Sequence, residues 1–92
     1  MTNSEIWVFI GEGSKLAVGC FDSFDEAIKV ISKYELSGLL TQYPINELAY
    51  DWAVRNQFFS PKKPEQKTAA FIGRFTSASQ AHFHFENGIQ VA

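Results

Sequence analysis

The first apolar run of the chain, residues 6–10 (IWVFI), is β-branched or aromatic throughout. It has large apolar side chains at both odd and even positions, which predicts a central β-strand covered on both faces. The cluster GEGSK at 11–15 predicts a turn, and the apolar positions of 16–21 predict a second strand. We therefore expect the chain to begin with a β-hairpin.

A helical period follows the hairpin. Ser23 and Glu26 form a Ser-x-x-Glu capping box, and apolar residues recur at helical spacing afterwards, which predicts a helix over 24–35. The helix should stop before Gly38, a residue that can adopt the left-handed conformation needed after a helix end. We expect its apolar face to pack on the first hairpin and to cover Ile6, Val8 and Ile10.

The middle of the chain predicts one more strand and one more helix. Residues 39–43 read as a strand that Pro44 ends, and Asn46 is placed to cap a second helix that runs to about Arg55. Asp51 and Arg55 are four residues apart, so we expect them to pair on that helix. The Pro- and Lys-rich stretch 60–67 predicts a loop, and Thr68 is placed to cap a short helical turn.

The end of the chain predicts a second hairpin. His and Phe alternate over 81–85, a pattern typical of a half-buried strand, and Asn87-Gly88 predicts a tight turn into 89–91. The element order is then β-β-α-β-α-turn-β-β. We interpret residues 1–92 as a single domain of the α+β class, with helices packed on a small antiparallel or mixed sheet.

Composition and charge narrow the classes of function. The net charge is −2 and the pI is about 5.6, values that argue against a nucleic-acid binder. The charge is uneven, at −5 over residues 1–51 and +3 over 52–92. One cysteine excludes an internal disulfide, and no apolar run reaches the roughly 18 residues of a membrane span. With no signal pattern at the N-terminus, we expect a cytoplasmic protein that has no membrane partner.

Four ordered segments carry a resemblance. They are WVFIGE at 7–12, LSGLLTQYP at 36–44, YDWA at 50–53 and FTSASQAH at 75–82. Together they resemble a family of small bacterial domains of unknown function. The resemblance implies a bacterial protein, and it implies no activity, cofactor or site residue.

His82 and His84 are the strongest candidates for metal chemistry. Two residues apart on a strand, they point to the same face, as two ligands of one metal ion would. A third ligand would have to be a carboxylate such as Glu12, Asp22 or Glu86. The favoured reading places Phe83 and Phe85 in the core and both histidines in solvent, with no metal and no cofactor.

A second candidate site lies around the second helix. Its residues could line a pocket that binds a ligand or a partner near the end of the third strand. The plainer alternative makes the tryptophan a core anchor and the charged pair solvated, and we favour it. The candidate residues are Tyr43, Tyr50, Asp51, Trp52 and Arg55.

No constellation of residues points firmly to catalysis, so the sequence favours a non-catalytic interaction or binding module. The alternative is a small metal-dependent enzyme or metal binder that uses His82 and His84. We expect a homodimer, because the shorter helix leaves part of one sheet face, Trp7, Phe9 and Phe21, uncovered. In the competing explanation, the aromatic loop between Phe58 and Phe75 covers that face.

Overall fold

The computed structural model describes residues 5–91 of the chain. The chain divides into two compact units. The sheet unit contains the described residues 5–45 and 80–91, and the helical unit is Asn46–Ser79. The prediction of a single domain over residues 1–92 stays a prediction.

The sheet unit is built on five antiparallel strands. The strands are β1 (Glu5–Gly11), β2 (Gly19–Phe21), β3 (Gly38–Pro44), β4 (His82–Glu86) and β5 (Ile89–Val91). They are ordered β2-β1-β3-β4-β5, and every neighbouring pair is antiparallel. With the helices described below, this confirms the α+β class predicted from the sequence.

The second strand is shorter than predicted. Residues 16–18 lie outside β2, and the side chains of Leu16 and Val18 are 77% and 63% exposed. The Ser14 hydroxyl donates a hydrogen bond to the carbonyl of Leu16 at 2.8 Å and accepts one from its N–H at 3.3 Å. These local bonds satisfy backbone groups that a longer ladder would otherwise use.

One helix, α1 (Phe24–Lys33), packs on the sheet. The Ser23 hydroxyl accepts a hydrogen bond from the Glu26 N–H at 3.1 Å, which confirms the predicted N-cap. The helix ends earlier than predicted, and Glu35, at φ 52°, takes the left-handed conformation expected of Gly38. Gly38 instead begins β3 and must be glycine, because a Cβ there would collide with the carbonyl oxygen of Ile10.

The core of the sheet unit lies between α1 and one face of the sheet, here called the helix face. Phe9 is 2% exposed, and Ala27 and Ile31 of the helix are fully buried. The prediction that α1 covers Ile6, Val8 and Ile10 is therefore wrong, because these alternate with Phe9 and point to the other face. The residues of the helix face are Trp7, Phe9, Phe21, Leu40, Phe83 and Phe85.

The last hairpin has the predicted turn. Asn87 and Gly88 have φ values of 51° and 84°, as a type I′ turn requires. The turn also packs on the end of α1, where the Gly88 N–H donates to the carbonyl of Leu36 at 2.8 Å. A Cβ on Gly88 would make a tight contact of 3.0 Å with the Cα of Glu35, and the φ of 84° also favours glycine here.

The helical unit contains α2 (Ala49–Arg55), a 3₁₀ turn (Pro64–Lys67) and α3 (Ala69–Ile72). Thr68 caps α3 as predicted, accepting a hydrogen bond from Phe71 N–H at 3.2 Å. Asn46 does not cap α2, because it lies in the left-handed region at φ 62° and the N-cap position is Leu48. Within residues 5–91, no helix is long and apolar enough to cross a membrane.

Candidate functional site

The face of the sheet opposite α1 is the main candidate surface, and it is here called the open face. The described part of the sheet unit contains one helix, α1, and that helix lies on the other side. Side chains on the open face are therefore half-buried or exposed, and Ile89 at its edge is 69% exposed. Its residues are Ile6, Val8 and Ile10 of β1, Cys20 of β2, Leu39, Thr41 and Tyr43 of β3, His82, His84 and Glu86 of β4, and Ile89 and Val91 of β5.

A row of apolar side chains crosses the open face beside the pair Gly11 and Gly38, at which β1 ends and β3 begins. Ile10 is opposite Leu39 on β3, and Leu39 is in turn opposite His84 on β4. Val91 completes this row on β5. Covering such a row of aliphatic side chains is favourable, because it removes apolar area from water.

A depression of about 560 Å³ lies over this row, at one end of the open face. Ile10, Leu39 and Val91 line it together with His84, and the carboxylates of Glu12 and Glu86 are also at its wall. The ion pairs found within residues 5–91 join Lys29 to Glu26 and Arg55 to Glu47. In that part of the chain, the two carboxylates of the depression therefore have no cationic partner, and this end of the open face is acidic.

His82 and His84 lie on the open face, as predicted, and both are exposed. Their ring centroids are 6.0 Å apart. His82 Nδ1 lies 2.8 Å from the carbonyl oxygen of Gln80, which can only accept, so Nδ1 carries the proton and Nε2 is left free. Among the described residues, no group of three His, Cys, Asp or Glu side chains could hold a metal ion.

The buried Gln80 holds that carbonyl in place. Its side chain is 3% exposed, and its amide Nε2 donates to the carbonyl of Gln42 on β3 at 3.0 Å. The orientation of the His82 ring is thus fixed through Gln80 to the middle of the sheet. Nothing in the sequence pattern singled out Gln80, since its role depends on a partner 38 residues away.

The predicted pocket residues fall in both units. Tyr43 is on the open face of the sheet unit, and the other four belong to α2 of the helical unit. Tyr50 is 8% exposed, and its hydroxyl donates to the carbonyl of Gln66 at 3.0 Å. It packs with Phe59, Phe71 and Phe75, so it is a core residue of the helical unit.

The charged pair predicted on α2 is different in the structure. Arg55 does not pair with Asp51, because its Nε and Nη2 donate to the two carboxylate oxygens of Glu47 at 3.0 and 2.8 Å. These hydrogen bonds lower the pKa of Glu47 below its ordinary value. Asp51 is exposed, and the ring of Trp52 packs on Phe58 with centroids 5.3 Å apart.

The aromatic residues predicted for self-association are on the helix face. Phe9 belongs to the core, and Trp7 packs on Phe24 and Phe83 at centroid distances of 5.2 and 6.0 Å. Phe21 packs against the same core. The prediction that Trp7, Phe9 and Phe21 form an uncovered patch is therefore wrong, because α1 covers this face. The uncovered face of the sheet is the opposite one.

One comparison identifies a family. A family model described as a domain of unknown function (DUF7710) matches residues 6–91, which include elements of both units. No curated protein and no solved structure matches the chain.

Proposed function

The chain belongs to the family of domains of unknown function DUF7710, and from that premise we propose that it is a non-catalytic binding module that pairs with a second copy of itself. The open face is the proposed interface. The observation that carries this proposal is the aliphatic row of Ile10, Leu39 and Val91, extended along β1 by Ile6 and Val8. A second copy is the commonest cover for such a surface.

The size of the open face supports a dimer of modest affinity. The five strands have 25 residues in all, and at about 3.3 Å per residue and about 4.8 Å between strands they give a face of about 400 Å² on each copy. Two such faces bury about 800 Å² in total, which is the size of a weak or transient interface. Exposed aliphatic residues such as Ile89 add to the apolar part of that area.

The bacterial cytoplasm is the proposed location. The resemblance to bacterial domains supports the host, and the exposed free thiol of Cys20 is compatible with a reducing compartment. The open face and the depression at its end contain two carboxylates, Glu86 and Glu12, and no lysine or arginine. This composition supports a protein partner over a nucleic acid.

Light scattering over a concentration series, from about 1 to 500 µM in the presence of EDTA, tests the proposal. We expect the mass to rise toward twice the 10.4 kDa of one chain. Val8→Lys, at the centre of the open face, should keep the protein monomeric with an unchanged circular dichroism spectrum. Ser32→Lys adds the same charge to an exposed position of α1 and should leave the dimer intact.

Two results would contradict the proposal. One is a monomeric wild type over the whole concentration series. The other is a Val8→Lys variant that dimerises as strongly as the wild type, which would place the interface elsewhere on the molecule.

A further inference from the structure

We infer that the dimer completes a transition-metal site of four imidazoles, His82 and His84 from each copy. This inference rests on the proposed self-association through the open face. One chain supplies only two ligands, as the absence of a three-residue ligand group within residues 5–91 indicates. A zinc ion with protein ligands prefers four in tetrahedral geometry.

The distance between the two rings fits such a site. Two imidazoles bound to one tetrahedral zinc ion, with Zn–N bonds of about 2.0–2.1 Å, have ring centres about 5 Å apart. The centroids of His82 and His84 are 6.0 Å apart, and the exposed side chain of His84 is able to adjust. Closing this difference of about 1 Å requires the His84 ring to move, because the His82 ring is held by Gln80.

The hydrogen bond of His82 prepares that ring for a metal. Metal-binding histidines usually donate their other ring N–H to a carboxylate or a backbone carbonyl, which fixes the tautomer and the ring orientation. His82 Nδ1 makes this contact with the Gln80 carbonyl at 2.8 Å. The free Nε2 then points away from the backbone, and the buried side chain of Gln80 anchors the arrangement to Gln42 of β3.

Charge selects the way in which two open faces meet. A twofold axis that brings two sheets face to face lies parallel to them, and its two simplest directions are along the strands and across them. An axis along the strands would bring together the acidic ends, each of which has Glu12 and Glu86. Four carboxylates without a cation repel one another, so the axis across the strands is favoured, and it turns one copy end for end.

This end-for-end arrangement brings the histidines together. Each strand then lies over the same strand of the partner, so that β4 faces β4. His82 is level with Val8 and His84 with Ile10, and the mean position along the strands of the six aliphatic side chains of the open face lies between these two levels. His82 of one copy therefore faces His84 of the other, across a sheet spacing of about 10 Å that two imidazoles and a metal ion span.

Light scattering of untagged protein, in EDTA and with zinc chloride, tests the inference. We expect zinc to tighten the dimer at least tenfold and to remain, after gel filtration, at one ion per two chains. His84→Ala should abolish the zinc effect and leave the metal-free dimer. The matched variant His84→Gln should do the same, because an amide keeps the size and polarity but is a poor zinc ligand.

The outcomes separate this inference from the proposed function. A dimer whose affinity is the same in EDTA and in zinc would overturn the metal site and leave the self-association standing. A protein that is monomeric under both conditions would overturn both. Zinc bound at one ion per chain, or a zinc effect that persists in His84→Ala, would also contradict the four-histidine site.

Discussion

Phe9 of β1 and Leu40 of β3 are directly opposite each other on the helix face, and they are only 2% and 0% exposed. The pair joins the two central strands beneath α1, where Ile31 is also fully buried. Because β1 and β3 together carry half of the open-face residues, the packing of this pair also fixes much of the surface on the other side.

Leu40→Ala should lower the free energy of unfolding by about 2–5 kcal/mol, the range for truncating a fully buried leucine. Leu16→Ala is the matched control, since Leu16 is 77% exposed and the same truncation there should cost less than about 0.5 kcal/mol. Urea titrations of both variants measure the difference. Equal losses would show that Leu40 is not at the centre of the core.

Gly88→Ala should destabilise the last hairpin by about 1–3 kcal/mol, because φ is 84° and the added Cβ would press on Glu35. Gly11→Ala is the control, since a Cβ there would meet no atom within 4 Å. Amide exchange over residues 82–86 gives the readout. Unchanged protection in Gly88→Ala would contradict the role of this turn in holding β4 and β5.

The sequence predicted the elements better than it predicted their faces. The capping residue Ser23 and the turn Asn87-Gly88 act through local backbone geometry, and both are confirmed. The strand at residues 6–10 is apolar at every position, so its pattern contains no information on which side α1 would cover. Which face α1 covers depends on the residues that lie beside Phe9 on the neighbouring strands.

The site residues show the same limit. Helical spacing predicts that Arg55 pairs with Asp51. Its actual partner, Glu47, precedes the helix, so the spacing of residues within a helix does not predict it. The spacing of His82 and His84 is a local pattern, and it predicts that they share one face of a strand. The contact of His82 with Gln80 and the anchoring of Gln80 to Gln42 depend on the strand order and could not be predicted.

Tyr50→Phe should destabilise the helical unit by about 0.5–1.5 kcal/mol, the net value of one hydrogen bond. The change removes the hydroxyl that donates to Gln66 and keeps the ring among its aromatic neighbours. Tyr34→Phe makes the same change on a side chain that is 62% exposed and should have no measurable effect. Thermal unfolding of the two variants gives the comparison, and equal melting temperatures would show that the Gln66 contact adds nothing.

Acid should weaken the fold partly through Glu47. The hydrogen bonds from Arg55, together with its charge, lower the pKa of this carboxyl in the folded state, whereas desolvation opposes them. A lowered folded-state pKa means that the stabilisation is fully present above the unfolded-state pKa and is lost as the pH falls through the folded-state value. Glu47→Gln should therefore be less stable than the wild type at neutral pH, and the difference should shrink as the pH falls below about 4.

Asp51→Asn is the control for this titration, because Asp51 lies on α2 but does not pair with Arg55. It should follow the pH dependence of the wild type. Urea titrations at several pH values and at low salt measure the effect, which added salt should reduce because the pair is exposed. The assignment of Glu47 as the ion-pair partner of Arg55 would be wrong if Glu47→Gln kept the full acid dependence of stability. It would also be wrong if Asp51→Asn lost that dependence.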